Sequence, residues 1–179
     1  GTKLGLIICE DVWFAGPSKQ AQAAGARALV VINGSPYHTQ QQALRVEQLR
    51  TRAAETGLPF IYVNRVGGQD ELVFDGASFV MAGSGEVVQQ MPAWHEALSI
   101  ATLDDGVPKP VRGSLDVRLE YHVYQALVTG VRDYVGKNKF PGVLLGLSGG
   151  VDSALVLAVA VDALGRDRVR AVMLPSAYT

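Results

Sequence analysis

Residues 145–155 read LGLSGGVDSAL. An apolar run enters, two glycines and two serines surround one aspartate, and a second apolar run leaves. Before it, GVLLGL (142–147) is a short, wholly apolar strand. After it, SALVLAVAVDALG (153–165) is a buried apolar helix stopped by Gly165, and VRAVML (169–174) is strand again. Strand, tight loop, helix and strand in this order predict a parallel pair with a right-handed crossover. Glycines at the turn let backbone approach something closely.

The loop's chemistry suggests an anion. Backbone N–H groups from Gly149 through Val151 to Ser153 face outward at a helix N-terminus, where the dipole favours negative charge. Gly149 and Gly150 clear the approach, and Ser148 and Ser153 add hydroxyl donors. Asp152 would repel a phosphate unless a divalent cation, Mg²⁺, bridges the two. The loop lacks the Walker lysine and the G-x-G-x-x-G spacing. An ordinary β–α turn, with Ser153 as a cap, is the alternative.

Working outward, KLGLIIC (3–9) is a strand ending at Cys9. Residues 16–26 form a short helix with Ser18 as N-cap, and RALVVIN (27–33) is a second strand. Residues 39–59 hold a helix with Ala43, Val46, Leu49 and Ala53 on one stripe, ended by Gly57 and Pro59. FIYVNRV (60–66) is a third strand, 77–90 a hairpin turning at 83–85, and 98–104 one more strand. The section is α/β with mixed pairing. Residues 104–116, with two prolines and two glycines, read as a linker. An amphipathic helix over 118–138 follows, carrying Val123, Leu127, Val131 and Val135 beside Tyr124, Val128 and Tyr134.

Composition narrows the partners. The chain is 48% apolar and 18% charged, with net charge −1, so nucleic acid and acidic membranes are not expected. A single cysteine excludes an intramolecular disulfide and fits a reducing cytoplasm. No apolar run reaches membrane-span length. The chain opens at GTKLGLIIC without an initiator methionine and stops at MLPSAYT after a strand, so it reads as a piece of a longer protein.

The loop SGGVDS resembles the signature of the N-type ATP pyrophosphatases, which hold the pyrophosphate of ATP while adenylating a carbonyl oxygen. The resemblance implies ATP on Ser148, Gly149, Gly150, Val151, Asp152 and Ser153, with Asp152 as an Mg²⁺ ligand. Met173 and Leu174, at a strand's carboxyl end, would lie near adenine. Ser176, Tyr178 and Thr179 in LPSAYT match the same pattern without an assignable role.

Cys9, in IICEDVW, reads by itself as a small buried hydrophobe, and Glu10 and Asp11 beside it disfavour a thiolate. Yet LGLIICEDVW, VVINGSPYH and NRVGGQDELVFDGASFV, in that order, resemble the second half of a nitrilase-fold amidase. That resemblance makes Cys9 the nucleophile that forms a thioester and releases ammonia. It places Glu10, Ser35 and Tyr37 around the amide substrate, with a plain turn as the alternative for the last two. The family's glutamate base and lysine lie well upstream of the cysteine; Lys3 is wrongly placed, so this piece alone should not hydrolyse an amide. Trp13 is expected in the core, and Arg45 and Arg52 solvated or salt-bridged. His38, His95 and His122 have no metal-ligand spacing.

Together the halves resemble the glutamine-dependent NAD synthetases. The implied fold is the C-terminal half of a nitrilase-like α-β-β-α sandwich, then the start of a Rossmann-like parallel-sheet domain of the adenine nucleotide alpha hydrolase type. The implied organisation is a glutamine amidohydrolase domain over 1–104, a linker over 105–116 and a synthetase domain over 117–179. Glutamine, deamido-NAD and ATP are the implied substrates, in a cytoplasmic homo-oligomer. Another ATP-pyrophosphatase ligase, or a nitrilase-type amidase with a non-catalytic ATP-binding appendage, is the rival reading.

Overall fold

Runs of β-branched and apolar residues make β1 (Leu4–Ile8), β2 (Ala28–Asn33) and β3 (Phe60–Asn64), which pair in parallel in the computed structural model. The structure describes residues 1–104, 106–111, 113–116 and 118–174. Register runs from Leu4 beside Ala28 to Ile8 beside Ile32, and Asn33 lies beside Asn64, so the carboxyl ends of the three strands fall in line. The crossovers are α1 (Ala15–Ala23) and α2 (Gln41–Thr56), the latter closed by Gly57 in the left-handed region. A hairpin of β4 (Val66–Gln69) and β5 (Leu72–Asp75) follows, which the sequence reading missed. β6 (Phe79–Met81) and β7 (Val87–Gln90) then extend the main sheet antiparallel, as the meander predicts.

Several expectations shift. Cys9 does not end β1 but opens a 3₁₀ turn, Cys9–Trp13. Ser18 does not cap α1; it is buried inside the helix, whose first turn holds Gly16 and Pro17. On α2 the buried stripe is Arg45, Leu49, Arg52, Ala53 and Thr56, while Ala43 is exposed. Of the strand expected over 98–104, only β8 (Leu103–Asp104) pairs, with β9 (Val107–Pro108), because Leu98 and Ile100 face solvent with no neighbouring strand.

The chain divides into two compact units, Gly1–Val66 with Phe74–Val117, and Gly67–Val73 with Arg118–Thr179. In the first, Leu29, Val31, Leu49, Phe60, Tyr62 and Met81 fill the space between the sheet and its helices. Alternation sends Leu4, Leu6, Ile8, Ile32 and Val63 to the opposite face, where all are exposed. One face is therefore covered, and the other is bare along β1 and at the ends of β2 and β3, as for half of a sandwich.

The second unit contains α3 (Leu119–Lys137), β10 (Val143–Leu147), α4 (Val151–Leu164) and β11 (Val169–Met173). β10 and β11 are parallel, with Leu147 beside Met173. α4 is not buried as expected: Val159 and Ala160 are, whereas Leu155 and Val156 are exposed, because a two-stranded sheet covers one side of a largely apolar helix. On α3, Val128, Thr129 and Val135 are buried, whereas Val123 and Leu127 of the expected stripe are exposed. Among the described residues no helix is long and apolar enough to cross a membrane.

Candidate functional site

At Cys9 the chain leaves β1 with φ +45°, a left-handed conformation that is strained for a residue with a side chain. The turn is locked from within. The Ile8 N–H donates to the Asp11 carboxylate at 3.0 Å, the Phe14 N–H donates to the Asp11 carbonyl at 3.3 Å, and Val12 is buried as the anchor. The thiol is thereby presented, half-buried, at the carboxyl edge of the parallel sheet. Glu10 is exposed, and so is Trp13; Val12, not Trp13, fills the core here.

Beyond β2, Ser35 is gripped on every polar atom. Its N–H donates to Asn64 Oδ1 at 2.9 Å, and its carbonyl accepts from Arg45 Nη2 at 2.8 Å and Asn64 Nδ2 at 3.3 Å. Its hydroxyl oxygen accepts from Arg45 Nε and Gln41 Nε2, each at 3.1 Å. Arg45 is fully buried and meets both Asp75 oxygens, at 2.8 and 2.9 Å. Tyr37 stacks edge-on against Trp94 at 4.8 Å, and burial followed by the Asp75 charge raises its hydroxyl pKa. The Tyr62 hydroxyl is pushed up to about 12, first by burial; Arg45 and a hydrogen bond with Ser35 oppose this, and Cys9 and Asp75 add to it. One phenol thus feels Cys9, Ser35, Arg45 and Asp75 at once.

Of the expected amide-site residues, Cys9 follows the carboxyl end of β1, and Ser35 and Tyr37 follow that of β2. Arg45, Asp75, Asn64 and Gln41 were not anticipated there. Arg45 was legible in part: it stands four residues before Leu49 and eight before Ala53, so a cation on that apolar stripe requires a buried anion. Arg52 pairs with Glu55 at 3.2 Å. A cavity of about 360 Å³ against the bare sheet face, lined by Ile61, Val63, Val80 and Leu98 among others, contains none of the expected site residues.

The glycine loop leaves β10 at Ser148. Gly149 has φ +87°, and Gly150 stands as N-cap at φ −82° and ψ 158° with no side-chain cap on α4. Ser153 does not cap the helix; its hydroxyl donates to the Gly150 carbonyl at 2.9 Å and receives the Ser148 N–H at 3.3 Å. The Ser148 and Ser153 hydroxyls are 3.2 Å apart. Asp152 lies exposed in the first turn, and register sets Met173 beside Leu147, with the Leu174 N–H donating to the Leu147 carbonyl at 3.0 Å. Loop and strand end therefore share one edge of the parallel pair. Ser176, Tyr178 and Thr179 lie outside the described residues.

Residues 1–111 match the family model for carbon-nitrogen hydrolases. The chain belongs to the carbon-nitrogen hydrolase family. Beyond the carbon-nitrogen hydrolase section, residues 123–179 match the model for NAD synthase. The chain is similar to the glutamine-dependent NAD(+) synthetases of Rhodobacter capsulatus, 46% identical over 98% of this chain, and Acinetobacter baylyi, 42% identical over all of it. A solved glutamine-dependent NAD+ synthetase from Acinetobacter baumannii, in complex with ADP, superposes over the whole chain with TM-score 0.92 at 45% identity. The chain spans about a third of the length of these relatives, 33 to 34%.

Proposed function

We propose that this chain is part of a glutamine-dependent NAD synthetase, with an amide-hydrolysing site around Cys9 and an ATP site at Ser148–Ser153. The observation that carries the reading is the joint presence, in one chain, of a strained thiol-bearing turn in a carbon-nitrogen hydrolase section and an uncapped glycine loop in a section matching NAD synthase. Relatives similar along the full chain and named for this activity support it.

In the amide site the Cys9 thiolate attacks the glutamine carboxamide, and ammonia leaves from the tetrahedral adduct to give a thioester that water cleaves to glutamate. Ser35 and Tyr37 line the substrate, and Glu10 binds its amino group. The general base and lysine come from the remainder of the protein. In the synthetase section, the nicotinate carboxylate of deamido-NAD attacks ATP, and pyrophosphate departs into the N–H groups of Gly149, Gly150, Val151, Asp152 and Ser153, with the Ser148 and Ser153 hydroxyls beside them. Ammonia displaces AMP from the acyl-adenylate to give NAD. Met173 and Leu174 flank adenine.

Mg²⁺ fits this loop, because it is commonly held by one or two carboxylates together with phosphate oxygens, and Asp152 supplies one exposed carboxylate beside the cradle. When bound, it would neutralise pyrophosphate charge. The domains are read as 1–104 and 117–179 joined by 105–116, within a cytoplasmic homo-oligomer, and a protected passage between the two sites would shield ammonia from protonation.

The test is NAD formation by the full-length protein from deamido-NAD and MgATP, with glutamine or ammonium as nitrogen source. Cys9→Ala is expected to abolish the glutamine-dependent rate and spare the ammonium-dependent one. No NAD from either source in the unaltered protein would overturn the assignment.

A further inference from the structure

Arg45 makes more contacts with the Ser35 loop than an ion pair explains. Its Nη1 is occupied by the two Asp75 oxygens and by Gln42 Oε1 at 3.2 Å. Its Nη2 holds the Ser35 and Pro36 carbonyls, and its Nε reaches the Ser35 hydroxyl. A buried guanidinium of this kind is costly unless every donor is satisfied, and here each nitrogen has partners. The consequence falls on Ser35. A hydroxyl oxygen has two acceptor positions, and Arg45 Nε–H and Gln41 Nε2–H fill both.

We propose that Arg45, locked by Asp75, is a positioning residue of the amide site that makes the Ser35 hydroxyl an obligatory donor to an oxygen of the bound substrate. The proposal rests on the amide-hydrolysis reading above. With its oxygen saturated, Ser35 has only a proton to give. A substrate oxygen takes it when the site is filled. Asn64 holds the Ser35 backbone from the other side, so the hydroxyl has a fixed origin as well as a fixed polarity. No proton is transferred; the effect is on binding.

The experiment is a double-mutant cycle on the full-length enzyme, reading KM for glutamine, kcat and melting temperature. Arg45→Lys keeps a cation against Asp75 but loses the fork that reaches Ser35. It is expected to raise glutamine KM about tenfold, with kcat changed less than about threefold, the size of one lost charge-assisted hydrogen bond. Ser35→Ala should do the same. Because Arg45 acts through Ser35, the double variant should show a KM no higher than Ser35→Ala alone. A multiplicative KM in the double variant, or an unchanged KM in folded Arg45→Lys, overturns the proposal. Should Arg45→Lys melt too low to assay, Gln41→Leu takes its place, since Gln41 is only half-buried at the start of α2. Its expected KM rise is about threefold, and none in the Ser35→Ala background; no rise in the otherwise native enzyme overturns the proposal. An unaltered enzyme that does not hydrolyse glutamine removes the reading and the proposal with it, whereas an active enzyme with a multiplicative cycle removes the proposal alone.

Discussion

At Gly149 φ is +87°, where any side chain is strained, whereas at Gly150 φ is −82° and an added Cβ would meet only the Ser148 hydroxyl, at 3.6 Å. The fold therefore needs glycine at the first position and not at the second. What Gly150 leaves open is the space in front of an uncapped helix end, which an anion would enter. Gly149→Ala should cost about 1–2 kcal/mol of stability through backbone strain. Gly150→Ala should melt within about 1 kcal/mol of the native protein, yet raise KM for ATP at least tenfold by crowding the phosphate. Thermal melting beside ATP kinetics on the full-length enzyme checks both; a stable Gly150→Ala with unaltered ATP affinity would return the loop to an ordinary turn. This loop was legible because glycines and hydroxyls announce their use. Cys9 was not: left-handed backbone at a cysteine has no sequence signature, so its turn surfaced only in the structure. The Ser35 clamp lay between these cases, since a salt bridge was among the readings of Arg45 but its partner Asp75 is 30 residues away.

Among the elements, the parallel strands and their crossover helices were readable from periodicity, and the β4–β5 hairpin was not. Its VGGQ strand carries two adjacent glycines, which weaken any strand signal. Their use is close approach to α3 within the second unit. A Cβ at Gly67 would stand 2.8 Å from the Asp133 carboxylate, and one at Gly68 would stand 3.1 Å from the Asp133 Cβ. The Gly68 N–H donates to Asp133 at 2.7 Å, and Lys137 donates to the Gly68 carbonyl. Burial alone would raise the Asp133 carboxyl pKa; the Gly68 N–H, the Arg132 guanidinium and the Lys137 ammonium outweigh it and hold it below the ordinary 3.8. A lowered folded-state pKa means that the contact stabilises fully above pH 3.8 and is lost as pH falls through the lower folded value. Deuterium uptake by residues 67–73 should accordingly be faster in Asp133→Asn than in the native protein at pH 6, and the ratio should shrink toward one as pH drops below 3.8. A ratio that stays constant across that range would show that the Asp133 charge does not hold the hairpin.

For the whole molecule, the informative feature is what lies uncovered. β1, LGLII, is apolar on both sides of its pleat, a pattern suited to a strand buried on both faces. The structure buries Ile7 on the helix side and leaves Leu4, Leu6 and Ile8 exposed on the other, together with Ile32 and Val63 from the neighbouring strands. In the second unit Leu144, Val172 and Met173 are likewise exposed on a two-stranded sheet. Each such side chain forgoes roughly 1–2 kcal/mol of burial, and such patches, with open strand edges, favour association. The relatives are about three times as long as this chain, which covers 33 to 34% of them, so the remaining two thirds is the expected cover. The 179 residues excised on their own should therefore sediment as associated species and unfold in urea without a single sharp transition. The full-length protein should show neither behaviour. A monomeric excised chain with one cooperative transition would mean that the covered face alone holds the fold, and that the apolar second face of β1 serves something other than packing.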